Sequence, residues 1–496
     1  MMRKQTITQG TLTLLAAGFL TQVILPIINQ IAVIRALGEE GIGLYVLILP
    51  TLSLLTTLAG MAIPSLSRYF LLSKKKAGPA ILFSLPVSAV LTLLLLWGAP
   101  ALAGTLLKDS RAALPLLFLG PLVACTSIFA LLRTYFQSLG NMTPPAAANL
   151  AGQGFRIYFS IRFIGIFRPF GPAAIVSGVM GAFIIGELIS IAILGACYHF
   201  QTPGQLPPRP QPLEGRRRIG SVLRRLAAGS FTQLIQSFTE FLEPILIMHL
   251  LFRIGYPGEL SRKLFGAVSG FTFPILLLPA FISRSLMQNL ATAIGEAYRK
   301  KNFPYLSRCL DFVSKWFFLT YGFFAIVVMV YATEIMSLFF NTSTGAQYLP
   351  LLAPFFFLSF YQSALGPFLQ AVDESPSLVK TTFIASLVKL SLLIYLTPQP
   401  RFSIFGFIIA TMAYHSLLTC WQFKILKEKI GYRPHPHKVF NGLLTLMAVY
   451  ISARLLQQAA IWRGGVLAMG VQVFILGAVF GALALFCGLL PRRFKP

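Results

Sequence analysis

Acidic residues are scarce in this chain: 14 of its 496 residues are Asp or Glu, against 41 Lys and Arg, giving a formal net charge of +27. Charge of either sign is sparse at 11% of residues, while 56% are hydrophobic and the mean hydropathy is +0.75. A soluble protein of this length cannot hide so much apolar surface. Long polar stretches are also lacking. The longest, QTPGQLPPRPQPLEGRRRIG at 201–220, is too short for an extramembrane catalytic domain and reads as a Pro-rich, basic linker. Cys125, Cys197, Cys309, Cys420 and Cys487 lie in or beside apolar runs at no metal-like spacing, and read as small core residues. The five histidines are scattered. His435 and His437 share a loop with no third ligand near, so neither a metal site nor any other cofactor is expected. No Gly-rich phosphate loop is present, so the chain is not expected to be an ATP-driven pump by itself, nor an enzyme.

Apolar runs of about 20 residues, by contrast, recur throughout, each long enough to span hydrocarbon as a helix and too continuous for a β-barrel strand. The expected fold is an all-α polytopic membrane protein with about fourteen spans. They fall near 11–34, 43–66, 79–103, 113–138, 144–167, 171–199, 220–250, 264–288, 305–332, 347–372, 375–397, 402–426, 438–460 and 465–490. The start MMRKQ precedes a long run holding Gln22, Pro26 and Asn29, with no small-residue cleavage site, and reads as a retained first helix. The positive charge sits in short loops. Assigning loops alternately places roughly 26 Lys/Arg on one side and about 9 on the other, so the rich side, with both termini, is expected to be cytoplasmic in a bacterial inner membrane. No basic cluster is interleaved with aromatics, which argues against nucleic acid as a partner.

The chain interrupts itself twice in the same way. YFQSLGNMTP (135–144) ends the fourth expected span, and FLQAVDESP (368–376) ends the tenth. Six spans separate them, so the two share an orientation. That is the pattern of a parallel repeat whose units are related by an axis along the membrane normal. The expected organisation is an N-terminal six-helix lobe at 1–200, the linker 201–220, a second six-helix lobe at 221–430, and two extra helices in 431–496, with a central cleft between pseudo-symmetric lobes. Arg156 lies 12 residues after Pro144 and Lys389 lies 13 after Pro376, each about 18–20 Å into the membrane.

Charge at that depth is costly and needs a reason. Gln233, Gln236, Glu240 and Glu243 step by 3, 4 and 3, sharing one face of the seventh span, and Gln22 and Asn29 on the first span mirror part of that stripe. Such faces either line a water-filled cleft or form a polar seam between helices. Arg156, Arg284 and Lys389 either neutralise an anionic substrate or pair with Glu187, Glu240 or Glu243. Gly181 and Gly186 beside Glu187 permit close helix approach, which suits a structural role for that acid. Polar cleft faces on a repeated many-span chain point to a secondary transporter or flippase working by alternating access.

Several stretches carry a resemblance: LGEEGIGLYVLILP (37–50), RTYFQSLGNMTP (133–144), GAFIIGEL (181–188), FLEPILI (241–247), FPILLLPAFISRSL (273–286), ATAIGEA (291–297) and LQAVDESP (369–376). In that order and spacing the chain resembles the polysaccharide-export flippases related to stage V sporulation protein B, within the multidrug/oligosaccharidyl-lipid/polysaccharide superfamily. The resemblance implies two six-helix lobes around a V-shaped cleft lined by the first, second, seventh and eighth helices. It implies a lipid-linked, pyrophosphate-bearing glycan precursor as cargo, for peptidoglycan, spore cortex or polysaccharide. Lipid II-like substrates, membrane lipids and cell-wall synthesis proteins are then the expected partners of a monomer. The chain departs from the lipid II flippases of this superfamily at their cleft arginines. The matching region offers Asn29, Leu54 and Ser269, with only Arg35 retained in the first-helix motif, so Arg156, Arg284 and Lys389 become the candidate pyrophosphate partners. The alternative is a cation-coupled multidrug antiporter on the same fold, in which Glu240 and Glu243 would bind a cationic drug or a coupling H⁺ or Na⁺. A non-transporting scaffold would have no use for polar stripes.

Overall fold

The structure is a computed structural model, and it describes residues 25–61, 78–138, 141, 143–200, 216–432, 436–458 and 465–488. Every regular element among them is helical. In hydrocarbon a helix satisfies its own backbone hydrogen bonds, and these apolar runs have no other partner for them. Among the described residues, ten helices are long and apolar enough to cross a membrane. One of these, α1 (Leu25–Gly60), holds parts of two expected spans, because Gly38 adopts φ 61° and ψ −164° and breaks it near the expected boundary. This backbone region is open to glycine and strained for other residues. The expected start of the first span, including Gln22, lies outside the described residues.

The chain divides into two compact units, Met1–Gly266 and Ala267–Pro496. In the first, α1 is followed by α2 (Gly78–Ala101), α3 (Ala113–Ser138), α4 (Thr143–Phe167), α5 (Pro172–His199), α6 (Arg216–Arg253) and α7 (Gly258–Gly266). Helices α4 and α5 cross closely because both are glycine at the crossing. A Cβ on Gly152 would lie 2.8 Å from the Gly186 carbonyl oxygen, and one on Gly186 would lie 2.8 Å from that of Gly152. Ser190 Oγ locks the crossing by donating to the Ala148 carbonyl at 3.0 Å. Helix α4, with Arg156 and Arg162 in it, is long enough to span but is not apolar enough to count among the ten.

The second unit contains a π-helical turn (Ala267–Thr272), α8 (Phe273–Leu277), α9 (Ala280–Arg299), α10 (Phe303–Val330), α11 (Ala332–Phe340), α12 (Leu349–Ala371), α13 (Ser375–Leu396), α14 (Ile404–Ile430), α15 (Pro436–Gln458) and α16 (Gly465–Phe486). The stretch expected as one span at 264–288 is therefore segmented into α7, the π turn, α8 and the start of α9. Pro274 stands in the first turn of α8, and Pro279 is the N-cap of α9. Proline removes a helical donor and crowds the preceding turn. The Pro279 carbonyl accepts from the Tyr321 hydroxyl at 2.5 Å, and that hydroxyl also lies 2.6 Å from Ser283 Oγ. Tyr321 in turn stacks on Phe360 at 3.6 Å, inside the core built from α9, α10, α12 and α14.

Candidate functional site

The twice-repeated turn has one backbone design. After α3, the Asn141 amide donates to the Phe136 carbonyl at 3.1 Å. After α12, the Glu374 amide donates to the Leu369 carbonyl at 2.8 Å, while Asp373 takes a left-handed φ of 67° and donates to Gln370 at 3.3 Å. Aligned on Gln137 and Gln370, the two five-residue bonds fall on equivalent atoms. The second turn is a complete Schellman motif with Asp where glycine is usual. Each is followed by a helix opening on Thr143 or Ser375 and then a proline, which has no amide to leave unbonded.

These turns set the depth of two cations. In α4, Arg156 lies over the ring of Phe183 on α5, its Cζ 3.2 Å from the ring centroid. The Gly152–Gly186 crossing, one turn from Arg156 on α4 and one from Phe183 on α5, brings the backbones near enough for this stack. Tyr45 of α1 and Glu187 of α5 lie close enough to interact with the guanidinium electrostatically. The buried Arg156 Nε and the buried Glu187 Oε2 both lack a hydrogen-bond partner, so neither group is saturated by the other. In α13, Lys389 is 8% exposed, and its Nζ lies 5.3 Å from the ring of Tyr414 and 5.7 Å from that of Phe407, both on α14. Beside them the His415 Nδ1 lies 3.0 Å from Gln362 Oε1, and Gln362 Nε2 donates to the His415 carbonyl and to Thr419 Oγ1. Each unit thus seats one mid-membrane cation of the helix after the repeated turn on aromatic rings of the helix that follows. Aromatic faces stabilise a desolvated cation without cancelling its charge.

The acidic stripe of α6 is divided. Ser237, which the sequence reading passed over, faces α1, its Oγ 2.9 Å from Thr57 Oγ1 and 3.3 Å from Ser53 Oγ. Ser53 also donates to Glu240 Oε2 at 3.3 Å, yet Glu240 remains exposed, as does Gln233; Gln236 is half-buried and Glu243 is buried. One edge of the stripe is therefore a seam against α1, and the other edge is open. Asn29 is buried with its Oδ1 unpartnered. The backbone of Arg284 lies in α9, and its side chain is outside the described residues, as is Gln22. The sequence reading also missed Phe183, Phe407 and Tyr414. Their signal was present as aromatics at membrane depth on the helix following each cation.

Long apolar helices, a duplicated turn and cations embedded at matched positions define a multi-pass, all-helical membrane protein of the transporter type. A family model described as "Polysaccharide biosynthesis protein" matches residues 7–247. Stage V sporulation protein B of Bacillus subtilis (strain 168) is 31% identical over 432 residues, covering 84% of this chain and 83% of that protein. The chain belongs to the family of stage V sporulation protein B. The lipid II flippase MurJ in its inward closed conformation shares the fold, with a TM-score of 0.65 at 16% identity, over 97% of this chain and 100% of that one. An inward-facing MATE multidrug resistance transporter gives a TM-score of 0.60 at 17% identity, over 82% and 94%.

Proposed function

We propose that the protein is a flippase that moves an undecaprenyl-pyrophosphate-linked glycan precursor across the bacterial cytoplasmic membrane by alternating access. The observation that carries this reading is the pair Arg156 and Lys389, cations held at mid-membrane on aromatic rings at equivalent points of a repeat. A pyrophosphate head group calls for retained positive charge in a dry setting, while its lipid tail stays in the bilayer. The match to a polysaccharide biosynthesis family model supports a glycan on that head group, and the fold shared with a lipid II flippase supports the mode of transport. On this reading 1–200 and 221–430 are the two moving lobes, 201–220 is a cytoplasmic linker, both termini are cytoplasmic, and the protein acts as a monomer among wall-synthesis partners. The residues proposed to meet the substrate are Asn29, Arg156, Gln233, Gln236, Glu240, Glu243 and Lys389, with Gln22 and Arg284 carried over from the sequence expectation.

The exposed carboxylate of Glu240 favours one second reading, a cation-coupled drug antiporter. The excess of membrane-embedded cations over exposed acids weighs against it. Purified protein in liposomes decides between them. Translocation of fluorescent lipid II or another undecaprenyl-pyrophosphate glycan, reduced by Arg156→Ala and by Lys389→Ala, is the expected result. Failure with several lipid-linked glycans alongside ethidium efflux would replace the flippase with the antiporter.

A further inference from the structure

At the helix ends away from the basic loops, three connections of the first unit meet through charge. Glu40 follows the Gly38 break in α1, Asp109 and Arg111 belong to the turn between α2 and α3, and Arg262 stands on α7. Arg111 Nη1 lies 2.6 Å from Glu40 Oε1, and its Nε lies 3.2 Å from Asp109 Oδ1. Arg262 Nε lies 3.2 Å from Asp109 Oδ2, the oxygen that also accepts from Arg111 Nη2 at 3.2 Å. The side chains of Asp109 and Arg262 are 4% and 12% exposed, against 47% and 35% for Glu40 and Arg111, so the network runs from a wet end to a dry one. Beneath it α1 and α7 touch backbone to backbone. A Cβ on Gly43 would lie 2.8 Å from the Arg262 carbonyl oxygen, and one on Gly266 would lie 3.0 Å from Gly43 Cα. Deeper along α1, Ser53 and Thr57 hold Ser237 and Glu240 of α6. A chain with only 14 carboxylates places two of them in this one network.

We propose that the Glu40–Arg111–Asp109–Arg262 network is a charged latch that closes the outer face, and that its release is the outward step of the cycle. The inference rests on the alternating-access reading above. With the basic loops cytoplasmic the network is external. It ties the second span and the turn before the fourth, both from the first six spans, to the start of the eighth span in the second six. Separation there must pull Arg262 from a buried carboxylate and part the Gly43–Gly266 contact together. Withdrawal leaves the buried Arg262 guanidinium without its carboxylate while Asp109 keeps Arg111, so the Arg262 end governs the latch and the exposed Glu40 end contributes little.

A cysteine at position 53 reads the latch from outside. The Ser53→Cys chain is exposed in cells to a membrane-impermeant maleimide, with the parent chain as background. Asp109→Asn keeps the cap on the following turn. It and Arg262→Gln are each expected to raise the labelling rate about tenfold, equivalent to about 1.4 kcal/mol. The double variant should label no faster than the faster single, because both remove one shared interaction. Arg262→Lys should stay near the parent, and Gly43→Ala should open the face sterically. Unchanged labelling in both single variants, with normal elution of the folded protein, overturns the latch, as does full additivity in the double variant. If Asp109→Asn does not fold, Arg262→Gln against Arg262→Lys carries the same decision. Labelling needs no cargo, so an opened latch in a chain that moves no lipid-linked glycan would defeat the flippase reading alone.

Discussion

A cation near mid-bilayer costs at least about 2.5–3.5 kcal/mol on insertion scales, and the Phe183 ring beneath Arg156 is the first group to offset that cost. A desolvated cation–π contact contributes about 2 kcal/mol or more. Phe183→Leu keeps the apolar volume but not the ring quadrupole. It should lower the thermal midpoint in detergent by an amount equivalent to about 1–2 kcal/mol, and the same change should cost far less in an Arg156→Leu background. Equal losses in both backgrounds would assign Phe183 to packing alone. Outside the spans, Tyr432 permits a pH test. Burial first, and then Asp311, which accepts from its hydroxyl at 3.0 Å, raise the phenol above its ordinary value. The unfolded chain then releases this proton first as pH rises. The stabilisation is full below the ordinary tyrosine range, near pH 10, and is lost progressively above it. Tyr432→Phe should remove part of the alkaline fall in stability; an identical slope in the variant would mean the group is not linked to unfolding.

Among the elements, the α4–α5 crossing is sensitive to a single methyl group. Gly186→Ala would set a Cβ 2.8 Å from the Gly152 carbonyl oxygen and 3.0 Å from Arg156 Cβ. The helices must separate, at a cost of typically 1–3 kcal/mol for overpacking, and the Arg156–Phe183 stack must loosen with them. The expected outcome is a lowered midpoint and weaker translocation, whereas Gly181→Ala, whose nearest neighbours would be ordinary contacts at 3.8 Å, should change little. The spans themselves were legible because each is a continuous apolar run with polar ends, and several limits agree with the expectation to a residue or two, as at Ala113–Ser138 and Ser375–Leu396. The broken eighth span was not. Its hydrophobicity is continuous from Phe265 to Leu278, and hydrophobicity sets membrane insertion, whereas Pro274 and Pro279 set where the helix breaks within it. The duplicated turn was legible because helix termination needs particular residue types, so both copies keep Gln, a Ser or Thr, and Pro. The aromatic seats and the Glu40–Arg262 network were not, since their partners lie on different elements and sequence spacing says nothing about which helices meet.

At the scale of the whole molecule, the parallel repeat assigns Arg156 and Lys389 one structural role in two compact units. Substitutions in separate units without shared partners add in stability to within about 0.3–0.5 kcal/mol. Arg156→Ala and Lys389→Ala should accordingly sum in the thermal midpoint of the double variant. The acids of α6 provide the contrast, because they differ in setting while sharing one stripe. Glu243 is buried, so Glu243→Gln disturbs a packed polar group and should move stability with little change in the pH profile of transport. Glu240 is exposed, with Ser53 donating to its carboxylate, so Glu240→Gln should leave the midpoint near the parent. It should flatten any pH dependence of translocation if a proton or cation enters along the open edge of the stripe. A transport pH profile that survives Glu240→Gln unchanged, while Ser53→Ala and Ser237→Ala lower the midpoint, would make the whole stripe a seam between α1 and α6. Coupling would then have to be sought away from the acids, with the head-group cations carrying the selectivity of the carrier.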